Sequence, residues 1–213
     1  MRSCLQGLHA RGFRPEHIVD VGASVGSWSI LALAHWPTAR YSLFEPLVEH
    51  TELLEKLRQG CPNVSWFPYA LGSQKGELSL SIYPDQLDAA SLAYAGPGSR
   101  RIPVETLDGL VAAGQIPPAE LLKIDVQGFE REVLRGGGQF LQGVAVAIIE
   151  TYFFHFAPGM TLFHELVAIM HGHGFRVYEV IDPIARPCDG AVAQCDICFV
   201  REGHPLVASN AWA

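Results

Sequence analysis

The sequence predicts an α/β fold: a doubly wound, mostly parallel sheet with helices on both faces and an antiparallel edge strand. Strand-like and helix-like stretches alternate along the 213 residues, the pattern of strands joined by helical crossovers. The first strand ends in a glycine-bearing turn that opens a helix, Asp20-Val21-Gly22-Ala23-Ser24-Val25-Gly26-Ser27. The last two strands have no helix between them, so they form a hairpin and supply the antiparallel edge. Domains of about 150 residues are usual, so we expect a single unit over 1–213, with a leading helical segment at 1–17 and the core at 18–202.

The elements follow in order. Residues 3–13 form the leading helix. Residues 18–21 are a short apolar run before glycines, hence a strand ending in a turn. The stretch 27–36 carries helical bulk and stops at Pro37, which cannot continue a helix. Residues 40–44 read as a strand. The helix predicted over 46–59 opens on Pro46 and sets Leu47, Leu53, Leu54 and Leu57 on one face. A strand follows at 64–67. Residues 77–83 alternate Leu78, Leu80 and Ile82, as a half-buried strand does. Residues 85–99 are rich in Ala, Gly and Ser and read as a loop of lid-like length. A short strand at 102–104 precedes Thr106, an N-cap for a helix reaching 113. Then come a strand at 121–126, a helix at 128–141 broken by the glycines at 136–138, and a buried strand at 144–149. The helix at 161–174 stops at Gly174. Strands at 176–181 and 196–201 flank a Pro/Gly loop.

Composition narrows the function classes. Hydrophobic residues make up 49% and charged residues 17%, the balance of a chain with a real core. Lys+Arg number 15 against Asp+Glu 22, a net charge of -7, which is no general footprint for nucleic acid or an anionic membrane. No run approaches the ~18 apolar residues of a membrane span. The first residues lack the apolar core of a signal peptide. Five cysteines are odd in number and sparse, so they read as reduced thiols in a cytoplasmic protein.

The turn after the first strand lies where doubly wound sheets bind ligands, outside the carboxyl ends of the strands. Gly22 and Gly26 are expected to let the backbone approach a ligand closely. A dinucleotide site wants G-x-G-x-x-G, so that a pyrophosphate rests on the helix N-terminus. Counted from Gly22, those glycine positions hold Ser24 and Ser27. The spacing of Asp20, Gly22 and Gly26 fits D/E-x-G-x-x-x-G better, a loop that carries S-adenosylmethionine. Glu45, at the end of Tyr41-Ser42-Leu43-Phe44-Glu45-Pro46, is placed to accept two hydrogen bonds from a ribose diol. The plainer reading, compatible with the first, is that it caps the helix opening at Pro46.

Leu122-Lys123-Ile124-Asp125-Val126-Gln127-Gly128-Phe129-Glu130-Arg131-Glu132-Val133-Leu134-Arg135-Gly136 closely resembles the K-I-D-V-x-G-x-E-x-x-V-L-x-G signature of FkbM-type S-adenosylmethionine-dependent methyltransferases. The first glycine loop, Phe44-Glu45-Pro46, Ala70-Leu71-Gly72 and Thr106-Leu107-Asp108 fall in that family's order. The resemblance implies a Rossmann-like seven-stranded sheet forming one methyltransferase domain. It implies methyl transfer, usually to a hydroxyl oxygen, with sugars, glycolipids and polyketide-type natural products as acceptors. By this likeness Asp20, Gly22, Ala23, Ser24, Gly26, Glu45, Ala70 and Leu71 surround the cofactor, and Asp125 lies where cofactor and acceptor meet. Ser24 stands where the family usually has Asn, which tolerates a left-handed backbone better.

An aliphatic hydroxyl is a poor nucleophile and needs help losing its proton. Asp125 and Glu150 end adjacent strands, and strands lie about 4.8 Å apart, so the two carboxylates can face each other. His155 follows in the next loop, the best base by position, among Tyr152, Phe153, Phe154 and Phe156. That aromatic cluster serves either core packing or an acceptor wall. Asp125, Glu150 and His155 can also hold a hard divalent ion, although no dense carboxylate motif supports one. Two other readings stay open: a nicotinamide-dependent oxidoreductase, against which Ser24 and Ser27 speak, and an adenosylmethionine-binding module without chemistry.

Other residues have plainer readings. Cys195-x-x-Cys198 has one zinc-like spacing but no second pair, and Cys188 stands apart. His171 and His173 polarise a helix end. Arg100-Arg101 reads as a solvated pair, and Trp28 as packing near the glycine loop.

Overall fold

The computed structural model describes residues 1–82, 98–209 and 211. Its main sheet has seven strands, β1 (His17–Val21), β2 (Arg40–Phe44), β3 (Val64–Phe67), β7 (Leu121–Ile124), β8 (Val146–Tyr152), β9 (Phe175–Ala185) and β10 (Val192–Arg201). Their order is β3-β2-β1-β7-β8-β10-β9. The pairs β1/β2, β2/β3, β1/β7 and β7/β8 are parallel. β10 runs against both β8 and β9, so the antiparallel strand sits one place in from the edge that β9 occupies. The predicted α/β architecture holds, with the order of the strands, not their direction, reversing between β1 and β7, where the crossovers change side.

Period two divides the buried strands between two cores. Val19, Val21, Leu122, Ile124, Ala147 and Ile149 join one cluster, while Ile18, Leu121, Val146 and Ile148 join the other. Helices α4 (Leu107–Ala112), α5 (Glu130–Arg135) and α6 (Phe163–Gly172) cover the first. Helices α1 (Arg2–Ala10), α2 (Ser27–Leu33) and α3 (Thr51–Gly60) cover the second. Strands buried on both faces need apolar side chains at every position, so these runs show no alternation in sequence. Among the described residues no helix is long and apolar enough to cross a membrane.

A second sheet was not foreseen. β4 (Ala70–Leu71), β5 (Gly76–Ile82) and β6 (Gly98–Glu105) pair in the order β4-β6-β5. Leu80, Ile82, Ile102 and Val104 close one face over Leu47 and Ala70. Leu78 points to the same side, but lies beyond the cluster and is exposed. β6 begins at Gly98, inside the predicted lid; the rest of that stretch, 85–97, lies outside the described residues.

The predicted helix at 46–59 starts late. Leu47 is extended, a 3₁₀ turn covers Val48–His50, and α3 begins at Thr51. The Glu45 carboxylate accepts a hydrogen bond from the Leu47 backbone at 2.9 Å, which holds the chain out of the helix there. The helix expected at 128–141 splits into α5 and a 3₁₀ turn at Phe140–Gln142. Tertiary packing fixes that break. A Cβ on Gly136 would fall 2.0 Å from the Gly72 carbonyl oxygen. Asp108 takes the backbone N–H of Gln139 and Phe140 at 3.1 and 2.6 Å. Thr106 caps α4 as expected, accepting from Gly109 at 3.0 Å.

Candidate functional site

A cleft of about 810 Å³, counting the open space at its mouth, lies over the carboxyl ends of β1, β2 and β7. The first loop contributes Gly22 and Ser24, the turn after β2 contributes Glu45 to Leu47 and His50, and β4 contributes Ala70 and Leu71. Leu80 of β5 and the segment from Asp125 to Gln127 close it.

The two glycines of the first loop are required by the protein's own packing. Gly22 has φ +78°, and a Cβ there would meet the Asp125 carbonyl oxygen at 1.9 Å. Gly26 has φ +82°, and its Cβ would meet Leu57 Cδ2 at 2.8 Å. These contacts tie both glycines to the fold, and Gly22 lines the cleft as well. Between them Ser24 adopts φ +47°, a left-handed conformation that Asn holds more easily.

Glu45 is buried and ties two cavity walls together. Its Oε2 accepts from the Ser24 backbone at 2.8 Å and its Oε1 from Leu47 at 2.9 Å. His50 Nδ1 lies 3.7 Å from Oε1. Each carboxylate oxygen has two acceptor sites, so one such bond does not saturate it. Asp20 takes a different place. It is buried beneath the loop, accepts from Ser29 Oγ at 2.6 Å, and does not line the cleft. Burial lifts its pKa to about 6, against the opposing Ser29 bond. Ala23 and Gly26 also lie behind the lining. The structure thus brings Gly22, Ser24, Glu45, Ala70, Leu71 and Asp125 to one cavity.

Asp125 ends the Lys123-Ile124-Asp125 segment at the cleft wall. Lys123 is buried, and its Nζ donates to Asp125 Oδ2 at 3.2 Å and to Asp196 Oδ1 at 2.9 Å. Burial opposes the ammonium charge, but the two aspartates outweigh it and raise the Lys123 pKa. Burial likewise opposes ionisation of Asp125, and the Lys123 charge prevails and holds its carboxyl below the usual range.

Glu150 does come near Asp125. Gln127 Nε2 donates to Asp125 Oδ1 at 2.9 Å and to Glu150 Oε2 at 3.0 Å. The Tyr152 hydroxyl lies 2.6 Å from Glu150 Oε2 and 2.9 Å from Gln127 Oε1. Gln194 Nε2 donates to Glu150 Oε1 at 3.0 Å. The register of β10 explains this set, because Gln194 lies opposite Tyr152 and Asp196 opposite Glu150. Burial, then the Asp125 charge, push the Glu150 pKa well up. His155 is exposed, and among the described residues no hydrogen bond or ion pair joins it to the carboxylates. Gln127, Gln194 and Asp196 were missed in the sequence: Gln127 stands at the unspecified position of the signature, and the others are recruited by strand pairing. Cys195 and Cys198 join opposite cores, which separates their thiols across the sheet.

Glu130 is buried under the Val126-Gln127-Gly128 turn. Its Oε1 accepts from Gly128 at 2.9 Å, while Oε2 finds no hydrogen-bond partner among the described residues. Burial raises its pKa to about 7 despite the Gly128 bond. A carboxyl raised on folding gives stability below its ordinary pKa, and that stability is lost as pH rises through the folded value. Glu130→Gln should therefore gain on the native protein by about 3 kcal/mol between pH 5 and pH 8. Urea unfolding at the two pH values measures this; a difference independent of pH would contradict it.

Comparison with known proteins places the geometry in context. The model of the methyltransferase FkbM domain matches residues 20–177. The hexuronic acid methyltransferase AglP of Haloferax volcanii is 29% identical over 134 residues, 62% of this chain and 54% of that protein. The chain thus spans about half the length of this curated relative. The FkbM methyltransferase structure from Methylobacillus flagellatus KT matches with a TM-score of 0.55 at 13% identity, covering 85% of this chain and 43% of that one. Magnesium protoporphyrin IX methyltransferase from Synechocystis PCC 6803, solved with bound SAM, gives a TM-score of 0.53 at 13% identity, covering 94% and 79%. The structural likenesses establish the Rossmann-like fold.

Proposed function

The chain belongs to the FkbM methyltransferase family, and from that premise we propose that it methylates a hydroxyl oxygen of a carbohydrate or small natural product, using S-adenosylmethionine, as one domain over 1–213. The observation that carries the reading is the meeting of Glu45 and Asp125 at one cleft. S-adenosylmethionine supplies an electrophilic methyl on a positively charged sulfur. Glu45 is set to take the ribose hydroxyls, each bond to its charge being worth about 1.5–3 kcal/mol. Gly22, Ser24 and the Ala70-Leu71 backbone complete that side. Asp20, Ala23 and Gly26 serve it from behind, by shaping the loop.

Asp125, kept ionised by Lys123, is set to accept a hydrogen bond from the acceptor hydroxyl and align it for in-line displacement. Much of the rate then comes from positioning, worth about 7–11 kcal/mol in well-oriented reactions. Glu150 fixes Gln127 and Tyr152 beside it. His155, on the acceptor side after β8, is the proposed base. The carbohydrate acceptor rests on the likeness to AglP. The five free thiols favour a cytoplasmic setting.

Calorimetry with S-adenosylmethionine, S-adenosylhomocysteine and NAD tests the cofactor; tighter binding of NAD would end the reading. His155→Ala should lower kcat by about a hundredfold, with recovery in added imidazole. Unchanged turnover would remove His155 as the base.

A further inference from the structure

Beside the cleft lies a group of side chains of which the methyl-transfer reading uses Tyr152 alone. Beyond β8 the chain lays out three aromatic rings in a row. Tyr152 and Phe156 meet edge to face with centroids 6.2 Å apart, and Phe154 and Phe156 are 6.2 Å apart. Phe156 is 52% exposed, a large apolar ring left in water. The row adjoins the cleft through one residue: the Tyr152 hydroxyl lies 2.9 Å from Gln127 Oε1, and Gln127 lines the cavity while the rings themselves do not.

A cation stands at the far end. The Arg186 guanidinium lies 3.7 Å above the Phe154 ring centre. Arg186 belongs to the turn joining β9 to β10, pinned by its backbone bonds with Ala191 and Gly190 at 2.7 and 2.9 Å. Asp189 holds the guanidinium through Nε, at 3.2 Å, and through Nη2. The Nη1 amine has no hydrogen-bond partner among the described residues. Phe153 N–H bonds to the Ala193 carbonyl at 2.9 Å, which joins the aromatic segment to the same hairpin.

We propose that Tyr152, Phe156, Phe154 and Arg186 form the acceptor subsite, and that it takes a sugar ring bearing a carboxylate. The exposed Phe156 ring suits the apolar C–H face of a pyranose, while Phe154 is partly buried and Tyr152 is buried. An arginine held along its Nε edge keeps its terminal edge for a second planar anion. Asp189 offsets much of the charge, so selectivity rests on the placement of that free amine together with the ring face. This inference rests on the methyltransferase reading and names its acceptor class.

Saturation-transfer NMR and titration, with S-adenosylhomocysteine present, would compare methyl glucuronoside and methyl galacturonoside with neutral methyl glucoside. The native protein should prefer a uronoside by roughly tenfold. Arg186→Met should remove that preference and leave glucoside binding unchanged; Phe156→Ala should weaken both. Calorimetric affinity for S-adenosylhomocysteine should stay constant in both variants, which reports that they are folded. Uronoside binding that is absent from the native protein, no better than glucoside, or unaffected by both variants would overturn the subsite. Failure of the native protein to bind S-adenosylhomocysteine would instead overturn the methyltransferase reading, leaving the sugar titration to judge the platform.

Discussion

Glu45→Ala should lower the affinity for S-adenosylmethionine by at least about a hundredfold, since two bonds to a charged acceptor are each worth about 1.5–3 kcal/mol. The loss has two parts. The ligand loses the acceptor for its ribose hydroxyls, and the Ser24 and Leu47 N–H groups lose the carboxylate that braces them. Glu45→Gln separates the parts. An amide carries one acceptor oxygen and one NH₂, and in either orientation the NH₂ faces a backbone donor. Its affinity should therefore fall nearly as far, with the fold retained. Calorimetric titration reads both values, with circular dichroism as the control. Affinity within threefold of native in both variants would mean that Glu45 serves only the protein.

Gly22→Ala should destabilise the fold by about 3 kcal/mol or more. The residue sits at φ +78°, and the new methyl would lie 1.9 Å from the Asp125 carbonyl oxygen, a backbone atom with no rotamer to yield. In a domain of this size the melting midpoint should drop by roughly 10 °C. Gly138→Ala provides the contrast, since a Cβ there meets nothing within 4 Å, and should shift stability by no more than about 0.5 kcal/mol. Equal thermal midpoints for the two variants would contradict the packing argument.

The legible parts of this fold are those where local chemistry and tertiary packing agree. β2 and β3 fall at their predicted residues, and Thr106 caps its helix. The family signature is legible because its fixed residues close on one another: Gly136 abuts Gly72, Asp108 holds the turn at 139–140, and Gly22 abuts Asp125. β4 was hidden because two residues carry no periodicity, and of β6 only 102–104 was legible, because Gly98, Ser99, Arg100 and Arg101 carry no apolar signal. Of the candidate site, the spacing of Glu45 and Asp125 from the first loop was readable. The burial of Asp20 was not, since its partner Ser29 lies across the glycine loop, in the first turn of α2. The bridge through Gln127 depends on a left-handed backbone, φ +54°, for which the sequence offers no cue.

The insertion of β10 between β8 and β9 has a consequence for synthesis. As the polypeptide emerges, β8 and β9 are made before the strand that separates them. Until Val192–Arg201 leaves the ribosome, the Val146–Tyr152 segment presents an open hydrogen-bonding row of apolar residues, the kind of edge that invites aggregation. The nascent protein therefore completes its sheet in a single late step, and a ribosome stalled before residue 192 would hold a species suited to chaperone capture.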